Sequence, residues 1–209
     1  YRYNDPQIQI RSFPVLILIL GLVLFLGIHS VRIFAPGFRD VQVVTRGENT
    51  WKALYSLVAL VGLVLIVWGY SIARLDPIVF WVAPTWMSHL TALLMLFSII
   101  FLVVSQFPAG RIKAAVKHPM LLSVKIWAPA HLLVNGDLAS ILLFGSFLVW
   151  AVLDRIAVKK RVRAGLAVDP APGPVKWDVA AVLTGVVVYV AFVLYLHQLL
   201  FGVAPFPNL

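Results

Sequence analysis

The chain contains no cysteine. That absence removes disulfides, thiolate catalysis, iron–sulfur ligation and cysteine-ligated haem in one step. Any metal must be held by histidine, carboxylate or methionine, and there are only 3 methionines. Charge is scarce too: 12% of residues are charged, with 8 acidic against 17 basic side chains. So small a charged share does not suit a water-soluble domain. No stretch reads as one, and no segment repeats.

What fills the chain is apolar. Hydrophobic residues make up 62% of the 209, and the mean hydropathy is +0.97. A bilayer core of ~30 Å needs roughly 20 mostly apolar residues of helix. Six stretches qualify as candidate spans: about Phe13 to Phe34, Trp51 to Ala73, Met87 to Phe107, Met120 to Leu133, Leu138 to Val158 and Asp178 to Phe201. The expected fold is an all-α, polytopic transmembrane bundle over residues 13–209, preceded by an N-terminal extension over 1–12. The fourth stretch is short and holds Lys125, Pro129 and His131, so it reads as a kinked or partly shielded helix. Only Val134 to Asp137 join it to the fifth, which predicts a tight hairpin. The first stretch runs on through His29 with no small-residue cleavage site after it, so it does not read as a signal peptide.

Charge asymmetry orients the bundle. The connections after spans one, three and five carry Arg39, Arg46, Lys52, Arg111, Lys113, Lys117, Arg155, Lys159, Lys160, Arg161, Arg163 and Lys176. The opposite side carries Arg2, Arg11 and Arg74. By the positive-inside rule both termini face outward and the odd-numbered loops are cytoplasmic. Topology thus accounts for the net charge of +9, with the inner leaflet as the partner and no nucleic acid implied. The loop from Arg163 to Lys176, with Asp169-Pro170-Ala171-Pro172-Gly173-Pro174, predicts an extended, solvent-facing connection.

Five histidines carry the remaining chemistry, since imidazole is both the commonest metal ligand and the group that titrates near neutral pH. His29 lies ~9 Å from the inner end of span one at 1.5 Å per residue. His118 sits at the inner mouth of span four. His89, His131 and His197 lie near the outer ends of spans three, four and six. A straight helix puts His118 and His131 ~20 Å apart on nearly opposite faces, so they cannot share one ion. His118 with Lys125, and Trp127 with His131, do share a face. His89 beside Trp86 and His197 beside Tyr195 also fit ordinary interfacial positions. His29 has Arg32 one turn on, which suits a metal ligand beside a clamp for an anion. Lys125 either snorkels or meets a buried anion, with Asp137 and Asp154 as candidate partners.

Several separate runs, in order, resemble the NnrU family of bacterial membrane proteins. They are Gly27-Ile28-His29-Ser30-Val31-Arg32, Gly47-Glu48-Asn49-Thr50-Trp51-Lys52-Ala53-Leu54-Tyr55-Ser56 and Val67-Trp68-Gly69-Tyr70. Pro84-Thr85-Trp86, Arg111-Ile112-Lys113, Lys117-His118-Pro119-Met120, Ala130-His131 through Asn135-Gly136-Asp137, and Leu196-His197 complete the set. The resemblance implies a bacterial inner-membrane protein linked to denitrification or nitric-oxide metabolism. The family is similar in turn to the plastid 15-cis-zeta-carotene isomerases, haem b enzymes that isomerise a polyene. Their haem ligands match His29 and His131 here, while their redox-linked cysteine matches Ala128, so no cysteine-for-histidine switch can operate. The resemblance implies haem b as cofactor and a hydrophobic small molecule or nitric oxide as ligand; the two propionates of a haem would then give a use to Arg32, placed beside His29, and to Lys125. His29 reads as inner and His131 as outer, so alternative ligand sets with His118, His89 or His197 stay open. The Lys117-His118-Pro119 step also resembles a segment of membrane isoprenylcysteine-type methyltransferases, and a haem sensor or assembly factor is a third reading.

Overall fold

A computed structural model of the chain describes the backbone of residues 6–206 and side chains from Phe13 to Phe206. The expected N-terminal extension over 1–12 lies outside the described residues, apart from the helical backbone of 6–12. Apart from one π-helical turn and one isolated bridge pairing Val79 with Asp137, all regular structure among the described residues is α-helical. The helices are α1 (Pro6–Phe34), α2 (Pro36–Arg46), α3 (Glu48–Ala73), α4 (Trp86–Gln106), α5 (Arg111–Val116), α6 (Pro119–Val134), α7 (Leu138–Arg163), α8 (Val175–Ala191) and α9 (His197–Phe201). The π-helical turn, Phe192–Leu196, joins α8 to α9.

Five of these segments are long and apolar enough to cross a bilayer: Phe13–Phe34, Glu48–Ala73, Trp86–Gln106, Leu138–Arg163 and Val175–Phe201. They coincide with five of the six expected spans. The remaining one, α6, has 16 residues, ~24 Å of helix against a ~30 Å core. It runs on as helix through Pro129. Two segments expected to be connecting loops turn out to contain helices, α2 and α5. Both are short and mixed in polarity, so neither carries the long apolar signal that marks a span.

The chain divides into two compact units, Tyr1–Trp81 with Asn135–Trp150, and Val82–Val134 with Ala151–Leu209. In the first, α1 packs along α3. The packing is close because glycines line it. A β-carbon at Gly21 would meet Ile66 N at 2.6 Å, one at Gly62 would meet Phe25 N at 2.7 Å, and one at Gly69 would meet Leu18 N at 2.4 Å. As one helix ascends in number its partner descends, so the pair is antiparallel, joined by small residues as membrane helices are. Asp137 caps α7 in the same unit, accepting from Ser140 N at 2.9 Å and Ser140 Oγ at 2.6 Å. Ser140 Oγ in turn accepts the Tyr70 hydroxyl at 3.0 Å, tying α3 to α7.

In the second unit α4 packs against both α6 and α8. Ser98 bonds the Ser123 carbonyl and hydroxyl at 3.0 and 3.1 Å, and Thr91 Oγ1 donates to Ala130 O at 2.9 Å. These contacts hold α6 along its length. Asp178 of α8, almost wholly buried, accepts the first two amides of α5, Arg111 N at 2.8 Å and Ile112 N at 3.1 Å. Lys113 closes the other junction by donating to the Ser105 and Phe107 carbonyls at the end of α4. A short helix that could not stand alone is thereby fixed at the head of α6.

Candidate functional site

In the first unit the site centres on His29. Its Nδ1 lies 2.6 Å from the Phe25 carbonyl one turn back on α1. A carbonyl oxygen only accepts, so Nδ1 is the donor, and Nε2 is left out of this bond. Three aromatic rings enclose the imidazole. Phe25 stacks on it at 4.3 Å, Tyr55 of α3 meets it edge-on at 5.2 Å, and Trp150 of α7 stands perpendicular at 6.0 Å. The Trp150 indole Nε1 is buried with no acceptor among the described residues, an orphaned donor in the same unit. Arg32, one turn further along α1, is exposed. Phe25 was readable from its four-residue spacing to His29; Tyr55 and Trp150 come from other helices and only the packing brings them in.

The second unit holds the other expected residues. His131 on α6 repeats the arrangement of His29, with Nδ1 donating to Trp127 O at 2.9 Å and its ring 5.4 Å from the Trp127 ring. The expected pairing of Trp127 with His131 is therefore present. His197 follows the π-helical turn and donates from Nδ1 to Val203 O at 2.6 Å. His89 stacks on Phe206 at 5.4 Å. Lys125 is half-buried on α6 and forms no hydrogen bond or ion pair among the described residues. The two carboxylates considered for it are engaged elsewhere: Asp137 caps α7, and Asp154 lies 3.8 Å from Arg161.

His118 is built into something else. Lys117 before it has φ 68° and ψ −50°, and His118 N donates to Val116 O at 2.8 Å. That is a tight, strained turn of three residues, rarely seen in folded chains. Lys117 Nζ bonds Asp169 at 2.5 Å, and the other oxygen of Asp169 stands 3.8 Å from His118 Nε2, too far for a hydrogen bond. The proline-rich loop after α7 is thus strapped to the turn between α5 and α6. Burial, then the nearby Arg155 guanidinium, push His118 below the ordinary imidazole value, against Asp169 and Asp154. Lys117 holds the Asp169 carboxyl below the usual carboxylate range.

Among the described residues no three His, Asp or Glu side chains converge in the manner of a metal cage. An imidazole whose Nδ1 donates to a backbone carbonyl, with Nε2 left out of that bond, recurs at His29, His131 and His197.

Residues 17–205 match the NnrU protein family, nearly the whole chain. The chain belongs to that family. No curated protein and no solved structure matches it. Within the NnrU match fall all five histidines, Arg32, Lys125 and the aromatic residues around His29.

Proposed function

We propose that this NnrU protein is a multi-pass protein of the bacterial inner membrane that binds haem b, which His29 and His131 would hold. The observation that carries the reading is the shared tautomer of those two residues. Each imidazole is oriented by its own helix, through the carbonyl four residues back. Haem-ligating histidines are commonly fixed in this way, the second-shell bond setting ring orientation and basicity. His197 has the same tautomer; the likeness to the haem-containing isomerases selects the other two. Arg32, one turn from His29, and the half-buried Lys125 serve the propionates, since a cation beside or within an apolar span marks a place for an anion. The rings of Phe25, Tyr55 and Trp150 pack around His29, and the orphaned Trp150 indole N–H supplies a spare donor in the same unit.

When bound, the haem would supply a one-electron couple, and a small ligand would reach the iron only in place of one of the two imidazoles. The protein's own part is to orient two imidazoles, exclude water and neutralise the propionates. Linkage to denitrification or nitric-oxide metabolism, or redox isomerisation of a hydrophobic polyene, are the two uses the resemblance supports. The α6 helix counts as a sixth crossing in this reading, shortened and shielded by α4, with both termini on the outer side and the basic loops in the cytoplasm.

Haem content tests the cofactor. Protein purified in detergent from haem-replete cells should give a pyridine haemochrome of b type, with His29→Ala and His131→Ala each losing most of it and His118→Ala keeping it. Folded, colourless wild-type protein would sink the proposal.

A further inference from the structure

The helix α2 has a use that the bundle does not explain. It hangs between two membrane spans by single residues, Ala35 after α1 and Gly47 before α3. Those spans run antiparallel, so both junctions lie where the pair leaves the bilayer. Eleven residues of helix are ~16 Å long. No α2 residue is buried. The side turned toward the protein carries Arg39, Gln42 and Val43, each half-covered. The outward side carries Phe38, Val41 and Val44, exposed by 55%, 56% and 84%. At 100° per residue these three fall within one arc of ~120°. The polarity is thus the reverse of a helix facing water. Phe38 also packs edge-on against Trp51 at the start of α3, ring centres 6.1 Å apart, which holds the apolar arc at the level of the span's first turn.

We infer that α2 is an in-plane anchor whose Phe38, Val41 and Val44 edge seats in the headgroup–acyl boundary of an anionic leaflet. The occupant is lipid rather than protein, because α2 is tethered at both ends to segments that cross the bilayer. Exposed apolar side chains flank α1 and α3 as well, such as Val23 and Leu57. Charge agrees. From Arg32 to Lys52 the chain carries Arg32, Arg39, Arg46 and Lys52 against Asp40 and Glu48. Glu48 is paired with Lys52 at 2.8 Å and Asp40 with Arg39 at 3.1 Å, and four cations against two carboxylates leave the segment a net positive charge that attracts lipid phosphates. Amphipathic helices of this kind sit roughly 5–10 Å into the interface. The inference rests on the membrane-spanning reading of α1 and α3 and is independent of haem.

The native lack of cysteine makes the test clean. Single-cysteine variants Val41→Cys, Val44→Cys and Arg46→Cys, with Val23→Cys on α1 as an embedded control, are spin-labelled in the full chain. They are then reconstituted in nanodiscs of phosphatidylcholine with or without phosphatidylglycerol. Collision with oxygen should exceed collision with a water-soluble nickel chelate at positions 41, 44 and 23, and the order should reverse at 46. Position 44 should move deeper with phosphatidylglycerol, and Arg39→Gln with Arg46→Gln should abolish that shift. Nickel access at 41 and 44 with position 23 still protected overturns the anchor and leaves the spans intact. Nickel access at all four positions overturns the spans themselves. Exclusion of both reagents at 41 and 44 means protein covers the edge, and insertion without lipid-charge dependence removes the anionic partner; either result overturns the inference as stated.

Discussion

Replacing Gly62 by alanine probes the packing that holds His29. A β-carbon there would stand 2.7 Å from Phe25 N and 3.0 Å from its Cα and Cβ. Ordinary contact begins at 3.4 Å, so the backbone of α1 must retreat at the residue whose carbonyl and ring fix the imidazole. Overpacking of this sort costs about 1–3 kcal/mol. Alanine in place of glycine in a helix returns about 0.5–1 kcal/mol. Gly27, two residues from His29 on the same helix, has nothing within 4 Å of its would-be β-carbon. Gly27→Ala therefore keeps the helical gain without the clash. The propensity change is common to both substitutions, so their difference isolates the clash, about 1–3 kcal/mol against Gly62→Ala. Reversible unfolding of both variants in detergent, followed by circular dichroism, measures that difference. In near-ultraviolet light Gly62→Ala should also alter the signal from Tyr55 and Trp150. Equal stabilities with an unchanged aromatic signal would refute the close approach of α1 to α3 at Phe25.

Three further outcomes follow from the second unit and the α3–α7 contact. His118 binds its proton less readily in the folded chain than its ordinary value of 6.5, so the unfolded chain takes up a proton first as pH falls. Stability is then full above about pH 6.5 and declines below it, and His118→Gln should flatten that decline; melting temperatures between about pH 7.5 and 5.5 decide the matter, an unaltered slope counting against it. Asp169, held below 3.8 by Lys117, stays ionised across that range and does not mask the effect. Asp178→Ala strips two amides of α5 of their acceptor and should cost about 1–3 kcal/mol, with faster hydrogen exchange over residues 111–116; exchange as slow as in the parent would contradict the cap. Tyr70→Phe removes the donor to Ser140 and should cost about 0.5–1.5 kcal/mol, and a neutral result would place no weight on that bond.

Much of this architecture was readable from hydropathy alone. Long apolar runs have no other stable fate in lipid than helix, which is why five expected spans match to within a few residues. The α2 helix escaped notice because Arg39, Asp40, Gln42 and Arg46 interrupt Phe38, Val41 and Val44, and eleven residues that open on a proline and a glycine look like a loop. Helix α5 was invisible for another reason: its stability comes from Asp178, distant in the chain and near in space. At the site, Phe25 and Trp127 sit at helical spacing from His29 and His131 and could be found by counting. Tyr55, Trp150 and Asp169 could not, since no local rule links residues on separate helices.

The low-temperature electron paramagnetic resonance spectrum of the oxidised protein tests the haem reading most directly. Two neutral imidazoles on one ferric iron give a low-spin signal. The haem that remains in His29→Ala and in His131→Ala should be high-spin, and added imidazole should restore the low-spin signal. A wild-type spectrum without a low-spin haem signal, or one that either substitution leaves untouched, would contradict ligation by that pair.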